Sequence, residues 1–84
     1  MIKILLFASL RDAVGVAELS INHDDGVKTV ADVLTLAQGQ NAKLKTAMQS
    51  GAKLMVAVNQ DMARFDASVT DGDEIALLPP VTGG

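Results

Sequence analysis

Apolar and polar positions alternate with period two from Met1 to Ala8, where Ile2, Ile4, Leu6 and Ala8 oppose Lys3, Leu5 and Phe7. That period belongs to a strand whose first set faces a core. Ser9, with Asp12 three residues on, then has the form of a helix N-cap with a capping box. Leu10, Ala13 and Val14 share one face of a short helical turn, which Gly15 is placed to end. Alternation returns over Ala17–Asn22, with Leu19 and Ile21 inward and Glu18 and Ser20 outward. This is a second predicted strand.

His23, Asp24, Asp25 and Gly26 form a turn cluster. Thr29 is predicted to cap the main helix, in which Val30, Val33, Leu34 and Ala37 follow the i, i+3, i+4, i+7 template. Gly39 is placed to close it. A further helix is expected over Asn41–Gln49, burying Leu44, Ala47 and Met48, with Gly51 as its stop. Lys53–Val58 alternates Leu54, Val56 and Val58 inward. Met62, Phe65 and Val69 are isolated apolar positions that suggest short irregular strands. Asp71-Gly72-Asp73 reads as a tight turn before a last strand, Glu74–Leu78.

Two strands joined by a short connection form an antiparallel hairpin most readily, and a return across a helix gives the next strand the chance to lie parallel beside them. The expected fold class is therefore α+β, a mixed sheet with one face packed on a helix, best matched by a β-grasp. Residues 1–84 are expected to form one domain, with a flexible tail over 80–84. Strand order and register lie beyond what periodicity specifies.

The 84 residues include 7 basic and 10 acidic side chains, a net charge of −3, with two Phe and no Trp or Tyr. Such a chain has neither a phosphate-neutralising patch nor a platform for stacking bases, so no nucleic-acid partner is expected. No apolar run approaches the roughly 18 residues of a membrane span, and the apolar start is too short for a secretory signal. Without Cys there is no disulfide framework, thiolate nucleophile or zinc cluster. No membrane association and a cytoplasmic location are expected.

With one face of the sheet covered, outward residues should be polar. Lys3, Glu18 and Ser20 obey this, whereas Phe7 and Leu78 do not. An exposed Phe and Leu on neighbouring strands could form a docking patch, and coverage by their own loops or by the short helix is the competing account.

The chain continues from Leu78 into Pro79, Pro80, Val81, Thr82, Gly83 and Gly84. Two prolines cannot continue a central strand, and they stiffen the exit from the sheet. Five residues beyond Pro79 reach roughly 16 Å when extended. The last two have no side chains and can thread a channel too narrow for others. A frayed terminus is the ordinary alternative. Side-chain chemistry competes weakly. His23 sits in an Asp-rich turn as a solvated residue, the acidic residues lack the spacing of a calcium loop, and no phosphate-binding glycine motif occurs.

DGDEIALLPPVTGG (Asp71–Gly84), AVNQ (Ala57–Gln60) and the start MIKILLFASLRDAVG resemble the sulfur-carrier small subunits of molybdopterin synthase, across essentially the whole chain. PPVTGG is the specific element. The resemblance implies a ubiquitin-like fold and a protein whose reactive group is its own C-terminus, not catalytic by itself. A free carboxylate, with a pKa of about 3.5, is ionised and a poor electrophile. In the family, a ubiquitin-activating-type adenylyltransferase uses ATP, with Mg, to convert it to an acyl-adenylate. A sulfur-donor protein then leaves a thiocarboxylate, whose sulfur passes to cyclic pyranopterin monophosphate inside the large synthase subunit. Two such transfers build the molybdopterin dithiolene.

Residue by residue, the resemblance makes Gly84 the carrier of the activated group and Gly83 the residue that lets it pass through the partners' channels. Pro79, Pro80, Val81 and Thr82 aim the tail, and Phe7 and Leu78 match apolar contacts to the large subunit. Arg11 is a polar contact or a solvated helix residue. No cofactor is expected on this chain, and two copies each of small and large subunit are implied. Relatives often carry aromatic residues before the prolines, where this chain has Leu77 and Leu78. A sulfur carrier for another pathway such as thiamine synthesis, a ubiquitin-like modifier joined to lysines, and an inert interaction module remain the alternative functions.

Overall fold

Strands and helices follow one another as the alternation predicts, with their ends adjusted by caps and turns. The computed structural model describes residues 1–24, 26–49 and 53–79. Strands β1 (Ile2–Leu6), β2 (Glu18–Ile21), β3 (Met55–Val58), β4 (Asp61–Ala63) and β5 (Glu74–Leu78) accompany helices α1 (Ala8–Val14), α2 (Val30–Gln40) and α3 (Ala42–Met48). The sheet order is β2-β1-β5-β3-β4. β1 runs antiparallel to β2 and parallel to β5, and β3 is antiparallel to both β5 and β4. This is the mixed sheet of an α+β β-grasp, but the parallel partner of β1 is the last strand, β5, and not β3, the next strand after the helices, which pairs antiparallel on the far side of β5.

The helices share one core with the inward set of each strand. Ile2, Ile4, Leu6, Ile21, Val56, Ile75 and Leu77 pack there with Leu10, Val14, Val30, Val33, Leu34, Ala37 and Leu44. No polar or charged side chain among the described residues is buried with them. Burial of a Leu or Ile side chain contributes about 1.5–3 kcal/mol. Among the described residues, no helix is long and apolar enough to cross a membrane.

Several local expectations are corrected. Ala8 is not an inward strand residue but the first residue of α1, and it is exposed. The N-cap of α1 is Phe7, extended at φ −123° and without a side-chain cap, so Ser9 and Asp12 form no capping box. Ala8 at φ 51° makes the reversal from strand to helix earlier than Ser9 could. Ala13 is exposed while Leu10 and Val14 are buried, because a two-turn helix buries only a narrow stripe. Gly39 lies within α2, which stops at Asn41. The extended Asn41 also caps α3, its Oδ1 accepting from the Leu44 N–H at 2.9 Å. A side chain that satisfies the next helix's free donors is a stronger break than a glycine able to remain helical. Gly51, expected to stop α3, and Asp25 of the turn cluster lie outside the described residues.

Other signals work as read. Gly15 ends α1 in the left-handed region at φ 87°. Thr29 caps α2 in a full capping box with Asp32. Further N–H groups of that helix end donate to the Ala67 and Phe65 carbonyls, at 3.0 and 2.9 Å from Val30 and Ala31. The irregular segment before β5 thus anchors α2. Val69 is buried there, whereas Phe65 and Met62 are exposed.

Candidate functional site

The sheet face away from the helices carries a polar end and an apolar end, and strand parity decides which residue stands in each. At the polar end Lys3 pairs with Ser20 on one side and Glu74 on the other. Its Nζ lies 3.9 Å from Glu18 Oε1, a solvent-exposed pair that contributes little to stability. The next row is Leu5, Ala76, Ala57 and Met62 across β1, β5, β3 and β4. Beyond it, Leu78 pairs with Met55, and Phe7 continues β1 beside Leu78, one step past the Leu6–Leu77 pair. Among the described residues these two rows are apolar across β1, β5, β3 and β4, with Glu18 on β2 beside Leu5; Phe7, Met55 and Met62 are exposed, Leu5, Ala76 and Leu78 half-buried and Ala57 buried.

Phe7 holds its place through backbone geometry. Its extended conformation carries the strand alternation one residue past β1, and the positive φ of Ala8 turns the chain away immediately afterwards. Phe7 is 39% exposed, Met55 44% and Met62 58%. By contrast Leu77, one residue from Leu78, is fully buried on the helix side. Leu78 and Pro79 are half-buried. Phe7, Leu78 and Met55 thus cluster at one end of the face instead of being scattered over it.

Arg11 is exposed on α1, one turn beyond Phe7, with its N–H directed at the Phe7 carbonyl at 3.4 Å. Pro80, Val81, Thr82, Gly83 and Gly84, read from the sequence as the tail, lie outside the described residues. What the described structure supplies is the point of departure. β5 ends at Leu78, in the row with Phe7 and Met55, so the chain leaves the sheet from the apolar end of the open face.

The charged clusters serve the fold. Asp73 accepts from Asn59 Nδ2 at 3.0 Å and from the Thr70 N–H at 2.8 Å, and these bonds hold its carboxyl below the usual carboxylate range. Asn59 Oδ1 in turn accepts from the Glu74 N–H at 3.0 Å, tying the β3–β4 turn to the start of β5. Asp71 engages the N-terminal ammonium of Met1, and that contact lowers its pKa. Asp32 is lowered by the Lys28 and Thr29 N–H groups that it accepts from in the α2 cap. His23 is exposed in its loop. Among the described residues, no group of three or more His, Asp or Glu could hold a metal ion. A shallow depression on the α2 side, lined by Asp24, Gly26, Val27, Asp32, Thr35 and Leu36, has its carboxylates occupied by turn and cap bonds.

Sequence reading missed the methionines of the apolar face. Met55 stands outward once β3 is read by parity, since Val56 is inward, and that signal was available in the alternation. Met62 could not be found this way, because a three-residue strand carries too short a pattern to show a period.

Among the described residues, the apolar end of the open face lies beside the point where β5 ends. Residues 4–84 match the ThiS family, and the chain belongs to that family. It is 42% identical over 84 residues, all of both chains, to the molybdopterin synthase sulfur carrier subunit of Escherichia coli (strain K12). Among solved structures, the small archaeal modifier protein SAMP1 of Haloferax volcanii superposes with a TM-score of 0.81 at 31% identity, over 99% of this chain and 98% of that one. The complex of subunits 1 and 2 of molybdopterin-converting factor from Helicobacter pylori 26695 matches with a TM-score of 0.63 at 24% identity, over 99% and 97% of the chains, and this likeness is of fold. The architecture is the ubiquitin-like β-grasp.

Proposed function

We propose that this protein is the sulfur carrier subunit of a molybdopterin synthase, with Gly84 as the group that is loaded and discharged. The observation that carries the reading is the row Phe7, Leu78, Met55 at the end of β5, from which the sequence runs directly into PPVTGG. The full-length identity to the Escherichia coli carrier supports it. The partner that receives the open face is the synthase large subunit, in a two-plus-two assembly, and the description of the Escherichia coli relative as a synthase subunit supports a partner of that kind.

The chemistry follows from an unreactive carboxylate. A Gly84 carboxylate oxygen attacks the α-phosphorus of ATP on an adenylyltransferase, with Mg, and pyrophosphate leaves. Hydrosulfide released by a sulfur donor attacks the Gly84 carbonyl carbon, a C–S bond forms as the C–O bond to AMP breaks, and with loss of the sulfur's proton a thiocarboxylate remains on Gly84. With Phe7 and Leu78 docked and Arg11 at the rim, Pro79 and Pro80 direct Val81, Thr82 and Gly83 into the partner's channel. There the sulfur passes to cyclic pyranopterin monophosphate, and hydrolysis of the acyl link returns the carboxylate. The cycle takes place in the cytoplasm.

The test is intact-protein mass after incubation with a cognate adenylating enzyme, ATP and a sulfide source. The expected result is a gain equal to one oxygen replaced by sulfur, confined to Gly84, followed by its loss on adding the large subunit and pterin precursor. No gain with an active enzyme overturns the reading. Deleting Gly84 is expected to abolish loading without changing the melting temperature. The likeness to SAMP1 favours one second reading, a modifier whose Gly84 is joined to lysines. An isopeptide adduct on other proteins, in place of sulfur transfer to the pterin precursor, would identify it.

A further inference from the structure

Two of the four methionines stand on the open sheet face, Met55 paired with Leu78 and Met62 paired with Ala57. They are 44% and 58% exposed and belong to the two apolar rows. Of the other two, Met48 is half-buried against the core, and Met1, 65% exposed, lies beside Asp71 and Gly72 at the start of the chain. The apolar patch thus contains the oxidisable side chains whose change in polarity would matter most to a partner. We propose that Met55 and Met62 are an oxidation site through which peroxide turns off docking of the carrier, an inference that rests on the docking reading above.

The step balances within itself. A thioether sulfur attacks one peroxide oxygen, the O–O bond breaks, an S–O bond forms and water leaves. Sulfur loses two electrons and peroxide gains them. The product sulfoxide is polar and chiral where the thioether was apolar and adaptable. In the free carrier each sulfoxide oxygen is hydrated, so the fold is unaffected. In the docked state it is buried against an apolar surface with no donor assured, and burial of an unpaired polar group is costly. The expected effect is a Kd raised at least about tenfold, the ratio that corresponds to 1.4 kcal/mol. Methionine sulfoxide reductases reverse the change.

The test uses the full chain, hydrogen peroxide and the molybdopterin synthase large subunit of the same organism. Peptide mass mapping of the free carrier is expected to show one oxygen added at Met55, Met62 and Met1 before Met48. In the complex, Met1 is expected to react while Met55 and Met62 are protected. Calorimetric titration should show the oxidised carrier binding at least about tenfold more weakly, with affinity restored by reductase treatment. A Met55→Leu/Met62→Leu variant should keep its affinity after peroxide. Equal binding of oxidised and reduced carrier overturns the proposal, as does loss of binding by the treated double variant, which would place the lesion elsewhere. The docking reading is tested separately in unoxidised protein by Phe7→Asp. If that variant binds like the wild type, the docking surface itself is wrong, and the inference falls with it.

Discussion

Leu77 and Leu78 are chemically identical neighbours on opposite faces of β5, so truncating each to Ala separates the two tasks of the strand. Leu77 is fully buried between Leu6 on β1 and Val56 on β3. Losing three carbons forfeits about 0.8 kcal/mol for each, roughly 2.4 kcal/mol in all. The residual cavity adds to this, so about 3 kcal/mol is expected, within the 2–5 kcal/mol span for such substitutions. For 84 residues the whole stability is roughly 4–13 kcal/mol. A loss of 3 kcal/mol then lowers the melting temperature by roughly 12–24 °C in a domain of this size. Leu78 is half-buried, and its truncation should cost the fold only about 1 kcal/mol. Its exposed half is the part a partner would cover, which adds about 1 kcal/mol to binding, or roughly a fivefold change in Kd. Urea unfolding and titration with the large subunit measure the two effects side by side. If Leu78→Ala destabilises as much as Leu77→Ala, the strand is displaced by one residue and the assignment of faces is wrong.

Three further expectations concern the fold. Asn59 and Gln60, both at positive φ, form the two-residue turn between β3 and β4. Gly is preferred at the second position of such turns, so Gln60→Gly should raise stability by about 0.5 kcal/mol, a relief of roughly 1 kcal/mol less the added entropy of the unfolded chain. Lower stability would show that the Gln60 side chain contributes more than its backbone costs. Thr29→Ala removes the oxygen that receives the Asp32 N–H and should cost about 1 kcal/mol in denaturant unfolding; an unchanged midpoint would refute the cap. Asp73, Asp71 and Asp32 are all held below the ordinary value of 3.8, by Asn59, by the N-terminal ammonium and by the Lys28 and Thr29 N–H groups respectively. A carboxylate with a lowered folded-state pKa contributes its full stability above the unfolded value and loses it as pH falls through the folded one. The melting temperature should therefore drop below about pH 4, with a smaller drop in Asp73→Asn; an identical acid profile in that variant would discount the Asn59 clasp.

Periodicity made much of this legible because it is a local property. Ile2, Ile4 and Leu6 opposite Lys3, Leu5 and Phe7, the stripe Val30, Val33, Leu34 and Ala37, and the cap at Thr29 each depend on residues within one or two turns of chain. The same locality explains the failures. Ser9 looked like a cap because its side chain suits one, but the position of α1 was decided by the turn at Ala8, which follows from packing Leu10 and Val14 against the core. Gly39 looked like a stop, but the helix continued to where Asn41 could satisfy two helix ends at once.

Alternation along the chain fixed the inward and outward residues of β1, β2, β3 and β5, though not Ala8 or Met62, and proline chemistry marked the PPVTGG continuation. Only tertiary structure decided that β5 runs parallel between β1 and β3, and with it that Phe7, Leu78 and Met55 share a row. Strand partners are chosen by hydrogen bonds and core packing between segments distant in sequence, which no local period encodes. Burial of Leu6, Leu77 and Val56 against the helices sets that register, and it places their outward neighbours together at the exit of the chain end.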